Sequence, residues 1–344
     1  VLLRPSVTIV FDNISKEISI FSCSRPKENQ TADENYKNIE KNIKETFISL
    51  NNESIEEKKY SKQKNIENPK ANTSKDEYFE MVKKAREYII AGDIFQVVPS
   101  QRFFTPFKVS PFKLYESLRK INPSPYMYYL DLEDFYIVGS SPETLVKTEN
   151  NKITIKPIAG TRLKQEYPNR ELEKELLSDP KERAEHLMLL DLGRNDVGRV
   201  AKIGSIKVKN PFSIQETSNL IHIVSTVEGD LKEDEDQISS LSAGFPAGTV
   251  SGAPKIRAME IIDELEKEKR GIYAGAVGYF SANGDMDTAI ALRTAIIKDE
   301  MMYVQAGGGV VYDSNEEYEY NETVNKSQAL FKAAKDAILN NLKE

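Results

Sequence analysis

Two pairs of glutamates have a spacing that could bind a metal ion. Glu182 and Glu185 are three residues apart in a segment predicted to be helical, and Glu319 and Glu322 repeat that spacing near the end of the chain. Residues three apart lie on one helix face, so two such helices facing each other would gather carboxylates around a cation. Oxygen ligands suit Mg²⁺. The spacing alone favours the plainer interpretation, which is solvated acidic surface.

Three further polar residues stand where side chains often do chemistry. Glu143 ends a predicted strand, and it could act as a general acid if burial raised its pKa. His222 alternates with Ile221 and Ile223 in a predicted strand, so it faces away from them, either into a site or as an ordinary packed histidine. Arg293 interrupts an apolar strand, so we expect a carboxylate partner from the protein or from a substrate.

Two glycine-rich segments suggest an anion site less directly. Gly307, Gly308 and Gly309 follow a predicted strand, where backbone N–H groups could approach an anion or simply form a flexible turn. The segment 245–255 resembles a phosphate loop but does not fit one, because two residues separate its last glycine from Lys255. We interpret it as a turn that leads into a helix.

The elements that must position these residues are strands in hairpins with helices between the groups. We predict helices at 78–89, 112–120, 170–193, 254–270 and 315–342. We predict strands at 94–98, 126–131, 135–139, 144–148, 153–158, 220–228, 272–281, 288–297 and 301–306. Such an order favours an α+β fold with antiparallel sheets over a doubly wound sheet, which needs strict alternation of strand and helix.

Residues 1–75 differ from the rest. A hairpin is predicted over 5–21, followed by a Lys-, Asn- and Glu-rich stretch with one amphipathic helix near 39–50 and a solvated connector up to 74. We expect a domain boundary at about residue 75, where the polar connector ends and a regular globular pattern begins. A connector is favoured over an interaction segment.

The composition excludes several classes of protein. Lysine and arginine number 47 against 54 acidic residues, a net charge of −7, which argues against a general nucleic-acid binder. One cysteine, Cys23, and two histidines exclude an intrachain disulfide, an iron–sulfur cluster and His- or Cys-rich metal sites. No apolar run approaches the ~20 residues of a membrane span. We expect a cytoplasmic protein without membrane or nucleic-acid partners.

Seven stretches, taken in order, resemble the chorismate-utilising enzymes, and specifically the large subunit (component I) branch of anthranilate synthase. They lie at 92–100, 122–127, 139–143, 157–162, 184–196, 246–255 and 306–309. The resemblance covers the chain from about residue 76 to its end. It implies a chorismate-binding catalytic domain at 76–344, and at 1–75 the remnant of an N-terminal regulatory region plus a polar linker. It implies an α+β fold of two large antiparallel β-sheets packed on each other and flanked by helices.

The resemblance also implies roles for individual residues. It favours a Mg²⁺ site over surface acids, with Glu185 and Glu322 as ligands and Glu182 and Glu319 in support. Glu143 matches the general acid of the family, and His222 matches a histidine implicated in the elimination step. The residues that match the substrate pocket are Gly160, Thr161, Tyr273, Arg293, Gly307, Gly308, Gly309 and Lys326.

Two positions select the branch of the family. Relatives that add water to chorismate carry a lysine in place of Gln96. A lysine at this position can activate the water as a base, whereas glutamine cannot. The relative that makes aminodeoxychorismate has a lysine in place of Ala159. The resemblance therefore implies a lyase that converts chorismate and ammonia to anthranilate and pyruvate. Another chorismate-utilising enzyme, such as aminodeoxychorismate synthase component I, and a catalytically inactive homologue are the alternatives.

Partners and regulation are implied as well. No cysteine stands in the setting that a glutaminase nucleophile needs, so ammonia is expected from a glutamine amidotransferase subunit, in a hetero-oligomer. Pro125, Tyr126 and Met127 match half of a tryptophan feedback site. The other half lies in a family segment that we do not find here, so we expect weak tryptophan binding or none.

Overall fold

A computed structural model describes residues 1–25, 28–52, 60, 63–164, 169–216 and 220–342. The chain divides into two compact units, Val1–Lys59 and Tyr60–Glu344. The functional boundary expected after residue 75 stays a prediction. Within the residues described, no helix is both long and apolar enough to cross a bilayer.

The first unit contains the predicted hairpin and one helix. Strands β1 (Val7–Asp12) and β2 (Glu17–Ser22) pair antiparallel, which confirms the hairpin. Helix α1 (Ala32–Asn51) begins at Thr31, whose side chain and Glu34 form a reciprocal capping box. The helix is longer than the 39–50 predicted, and none of its residues is buried, as expected for a solvated segment.

The second unit holds fifteen strands and seven helices among the described residues. The helices are α2 (Lys75–Ile90), α3 (Pro111–Ile121), α4 (Asn169–Ser178), α5 (Pro180–Val200), α6 (Gln237–Gly244), α7 (Lys255–Leu265) and α8 (Glu316–Asn341). The strands are β3 (Lys70–Ala71), β4 (Gln96–Val97), β5 (Ser100–Pro106), β6 (Tyr126–Asp131), β7 (Tyr136–Ser141), β8 (Thr144–Glu149), β9 (Lys152–Ile155), β10 (Ile158–Leu163), β11 (Lys207–Glu216), β12 (Leu220–Asp230), β13 (Gly252–Ala253), β14 (Ala276–Phe280), β15 (Met286–Ile290), β16 (Thr294–Lys298) and β17 (Met301–Gly307).

Thirteen of these strands form two large sheets, in which each described pairing is antiparallel, and β4 and β13 pair separately. One has six strands in the order β3-β5-β17-β16-β7-β6. The other has seven, in the order β10-β12-β9-β8-β15-β14, with β11 paired to β12. The α+β class with two large antiparallel sheets and flanking helices is therefore confirmed.

The chain passes between the two sheets at two places that matter for the site. It leaves the six-stranded sheet after β7 and enters the seven-stranded sheet at β8, and Glu143 lies in that crossing. It returns between β15 and β16, where Arg293 lies. Both residues are thereby held at the junction of the sheets, which each have their own apolar core.

The boundaries of several predicted elements were wrong, and two of the differences have an identifiable reason. The helix expected over 170–193 is two helices, because Asp179 accepts hydrogen bonds from the amides of Lys181 and Glu182 and starts α5 with Pro180. The strand expected over 288–297 is broken by Arg293, whose φ of +49° is outside the strand region. The strand at 94–98 is only two residues long, and β11 and α6 were not predicted.

A buried ion pair joins α5 to the start of α7. The ammonium of Lys255 lies 2.8 and 2.9 Å from the two carboxylate oxygens of Asp196, and both residues are about 95% buried. We expect Lys255→Met to lower the free energy of unfolding by about 3–5 kcal/mol, because it leaves a buried carboxylate without its partner. Urea unfolding followed by circular dichroism measures this loss.

Lys75→Met is the matched control for that substitution. It removes a lysine from a pair of the same length, 2.7 Å to Glu317, that is exposed to solvent, so its effect should stay under about 1 kcal/mol. Equal losses in the two variants would contradict the structural role of the buried pair.

Candidate active site

A cavity of about 260 Å³ lies where the two sheets, α5 and α8 meet. Its walls come from sequence segments more than two hundred residues apart, so only the folded chain assembles it. Eleven of the residues singled out from the sequence line it. They are Gln96, Glu143, Ala159, Gly160, Glu185, His222, Tyr273, Arg293, Gly307, Glu322 and Lys326.

Glu143 has the properties of a general acid. Its carboxyl group faces the cavity at the crossing between β7 and β8, and the hydroxyl of Thr249 donates a hydrogen bond of 2.9 Å to its Oε1. Burial raises the pKa of Glu143 to about 7, and the hydrogen bond from Thr249 lowers it by less. In a large fraction of the molecules Glu143 is therefore protonated at neutral pH, as proton donation requires.

His222 is placed as the strand pattern predicted. Ile221 and Ile223 are fully buried on one face of β12, and His222 points the other way into the cavity. Its Nδ1 lies 3.1 Å from the carbonyl oxygen of Gly160, which can only accept, so Nδ1 carries the hydrogen. Burial lowers the pKa of His222. The neutral ring then has an acceptor at Nε2, which is the form that can take up a proton.

Arg293 brings a cation into the same cavity. Its backbone carbonyl accepts a hydrogen bond from the amide of Ser140, which fixes the crossing between the sheets. Among the described residues its guanidinium has no ion-pair partner within 4 Å, and burial lowers its pKa. We expected a carboxylate partner for Arg293 either from the protein or from a substrate. The described residues supply none, which leaves a substrate carboxylate as the expected partner.

Lys326 and Tyr273 add two further hydrogen-bond donors to the cavity. The ammonium of Lys326 donates to the carbonyl oxygen of Gly307 at 3.0 Å and pairs with Glu322 at 2.6 Å. Burial raises the pKa of Tyr273 to about 12, so its phenol stays a neutral hydrogen-bond donor at physiological pH. Three donor groups thus face a space suited to an anion.

The glycines at the end of β17 are required by close packing. A Cβ at Gly307 would lie 2.9 Å from both the carbonyl oxygen of Pro99 and the hydroxyl of Tyr273. A Cβ at Gly309 would lie 2.7 Å from the Gln96 amide nitrogen. The amide of Gly308 already donates to Pro99 at 3.2 Å, so it is engaged within the protein.

Four glutamates on α5 and α8 lie in or near the cavity wall, and Glu185 and Glu322 line it. Burial raises the pKa of Glu185, and the charges of Glu182 and Glu322 raise it further. Burial also raises the pKa of Glu319 to about 7. Its Oε1 accepts from Ser314 at 2.7 Å, while its buried Oε2 has no partner among the described residues.

The glutamates do not form a complete protein cage around a metal ion, but they fit a cation that is bound by few protein ligands. No three metal-binding side chains converge anywhere in the described part of the chain. Mg²⁺ does not need such a cage, since it is usually held by one or two carboxylates together with substrate oxygens and water. The orphaned oxygen of Glu319 and the mutual repulsion at Glu185 are the features that a cation would relieve.

Some of the predicted residues lie beside the cavity or apart from it. Glu182 is paired with Arg162 at 2.8 Å. Thr161 lies on β10, but its side chain is outside the described set. Tyr126, at the start of β6, donates to Asp287, and Met127 packs against the core of the six-stranded sheet. Together with Pro125, which precedes β6, they are not among the cavity-lining residues, and their role in tryptophan binding stays a prediction.

Sequence reasoning missed Thr249 and Gln215, both of which line the cavity. Thr249 belongs to the segment 245–255, which was interpreted only as a turn. Gln215 pairs with His222 in register across β11 and β12, and β11 was not predicted. No local pattern distinguishes either residue, since both are recruited by contacts distant in sequence.

Comparison with known proteins agrees with the resemblance seen in the sequence. Residues 1–332 match the family described as chorismate binding enzyme. The chain belongs to this family, and it is an enzyme of the chorismate-utilising class.

Individual relatives narrow the family further. Anthranilate synthase component 1 of Cereibacter sphaeroides is 52% identical over 98% of this chain and 68% of its own length. The protein of the same name from Aquifex aeolicus is 49% identical over 96% of the chain and 67% of its own length. The crystal structure of anthranilate synthase component I from Streptococcus pneumoniae is 41% identical, with a TM-score of 0.84 over 94% of this chain and 71% of that one.

Proposed function

We propose that this chain is the chorismate-binding component of an anthranilate synthase, which converts chorismate and ammonia to anthranilate and pyruvate. The observation that carries the proposal is one cavity that joins a protonated Glu143, a neutral His222 and the cations of Arg293 and Lys326. Identity of about half the residues to proteins named anthranilate synthase component 1 supports it. Gln96 and Ala159 both line the cavity, where the branch-specific positions should be.

The cations of the cavity bind and orient the substrate. Chorismate carries two carboxylates, and an acidic protein needs local positive charge to bind a dianion. Arg293 offers a planar fork that can hold a carboxylate through two parallel hydrogen bonds. Lys326 and the phenol of Tyr273 add donors on the same side.

Two proton transfers follow from the positions of Glu143 and His222. Ammonia adds at ring carbon C2, and Glu143 donates its proton as the C4 hydroxyl leaves as water. The adduct then loses its C2 proton and pyruvate, which leaves the aromatic ring of anthranilate. In the tautomer that carries its hydrogen on Nδ1, Nε2 of His222 is the ring nitrogen that accepts that proton.

Mg²⁺ is the cofactor that the carboxylates fit. Glu185 and Glu322 would hold it, with Glu182 and Glu319 in support. When bound, the ion supplies an electrophile that draws electron density toward a substrate carboxylate.

The source of ammonia is part of the proposal. Relatives named component 1 imply a further component, and we propose that it is a glutamine amidotransferase that delivers ammonia to this chain in a hetero-oligomer. The single cysteine, Cys23, is exposed and belongs to the first unit, whereas the cavity residues all belong to the second. The cytoplasmic location stays a prediction.

Product analysis tests the proposal. The protein is mixed with chorismate, an ammonium salt at alkaline pH and Mg²⁺, and anthranilate fluorescence and pyruvate are followed. We expect equimolar anthranilate and pyruvate, loss of both with EDTA, and recovery when Mg²⁺ is restored in excess. Aminodeoxychorismate or isochorismate as the product would contradict the branch assigned from Gln96 and Ala159, and turnover that persists in EDTA would contradict the metal assignment.

A further inference from the structure

The hydroxyl of Thr249 makes the only hydrogen bond that the described residues give to the Glu143 carboxylate. It donates to Oε1 at 2.9 Å. A hydroxyl can donate to the carboxylate and can accept from the neutral carboxyl group, so the contact is kept in both protonation states. The Thr249 contact therefore fixes the orientation of the Glu143 carboxyl group at the cavity.

The backbone around Thr249 is held on several sides. It lies in a short 3₁₀ turn, Gly248–Val250, and the side chain of Arg270 donates to the carbonyl oxygen of Val250 at 2.6 Å. A Cβ at Gly248 would lie 2.0 Å from the side chain of Leu192 on α5, so the turn sits directly against that helix. A hydroxyl on so fixed a turn is a preorganised donor.

We propose that Thr249 is a positioning residue, which orients the Glu143 carboxyl group for proton donation and stabilises the carboxylate left behind. This inference rests on the proposed function. As Glu143 loses its proton, the bond from Thr249 becomes a hydrogen bond to a charged acceptor and strengthens. An interaction that is stronger after charge develops than before it accelerates the step.

The other charged groups around the cavity do not replace this bond. Lys326 stabilises the carboxylate of Glu143 through space, but it already has Glu322 and Gly307 as partners. The remaining titratable groups that line the cavity are Arg293, His222, Tyr273, Glu185 and Glu322, and the described residues show no hydrogen bond from any of them to Glu143.

Thr249→Val and Thr249→Ser separate the hydroxyl from the shape of the side chain. Valine keeps the volume and removes the donor, and we expect kcat to fall roughly 10- to 100-fold with KM for chorismate within about threefold. The alkaline limb of the pH profile should move upward, because the carboxylate loses a stabilising donor. Serine keeps the donor and should restore most of kcat and the original limb.

Two further measurements keep the proposal falsifiable. Difference infrared spectra against Glu143→Gln report protonation of Glu143 without substrate, and the carboxyl band should persist to higher pH in Thr249→Val. Thr148→Val, which removes a buried hydroxyl that donates to Gly284 outside the cavity, should leave kcat unchanged. Failure of the wild type to make anthranilate would overturn the proposed function but leave the infrared test intact. An unmoved infrared titration and pH limb in Thr249→Val would overturn the role of Thr249.

Discussion

Glu143→Gln should reduce anthranilate formation by about 10³-fold, within the range that a general acid contributes. The amide has the size of the carboxyl group and can still accept from Thr249, so the cavity should keep its shape and KM for chorismate should change little. What is lost is the proton that the departing hydroxyl needs. Steady-state kinetics with ammonium at saturating chorismate measure the effect.

The pH profile of the wild type adds an independent check. The acid form of Glu143 is the active one, and burial raises its pKa to about 7. Activity in kcat/KM should therefore fall as pH rises through about 7, once the rates are corrected for the concentration of free ammonia. Glu149→Gln, at the exposed end of β8, the strand that follows Glu143, is the control and should behave as wild type. A Glu143→Gln variant with a third of wild-type activity would exclude the general-acid role.

The sequence predicted best those features that depend on a local period or cap. The alternation of His222 with two buried isoleucines and the paired glutamates on α5 and α8 are both local, and both are observed. Capping and periodicity act over four residues or fewer, so one sequence is enough to see them.

Features that depend on contacts between the sheets could not be predicted in the same way. The run around Arg293 is apolar and β-branched, as in a continuous strand, yet the chain changes sheets there with a φ of +49°. Thr249 approaches Glu143 across 106 residues of chain. Nothing near either residue signals these contacts, because the folded sheets, and not the local sequence, bring the groups together.

Arg293→Met should raise KM for chorismate by about 100-fold, the second largest effect that we expect. Its guanidinium is the one buried cation of the cavity that the described residues leave without an ion-pair partner, and a substrate carboxylate supplies that partner. Hydrogen bonds to a charged group contribute about 1.5–3 kcal/mol each, so losing a paired fork accounts for a change of this size. The KM of Arg293→Lys should lie between those of the wild type and Arg293→Met, because lysine keeps the charge and loses the planar fork.

The free energy of unfolding distinguishes a substrate-binding role of Arg293 from a structural one. Arg293→Met should raise it if Arg293 binds substrate and lower it if Arg293 supports the fold. A buried guanidinium without a protein partner destabilises the folded state, as its lowered pKa indicates. Methionine removes the charge and keeps the length of the side chain, so Arg293→Met should gain about 1 kcal/mol in free energy of unfolding while losing substrate. Arg257→Met, which breaks pairs with Asp93 and Glu260 on the surface of α7, should leave KM unchanged and cost little stability. If Arg293→Met lost stability and affinity together, Arg293 would be supporting the fold, and the carboxylate of chorismate would have to be bound elsewhere in the cavity.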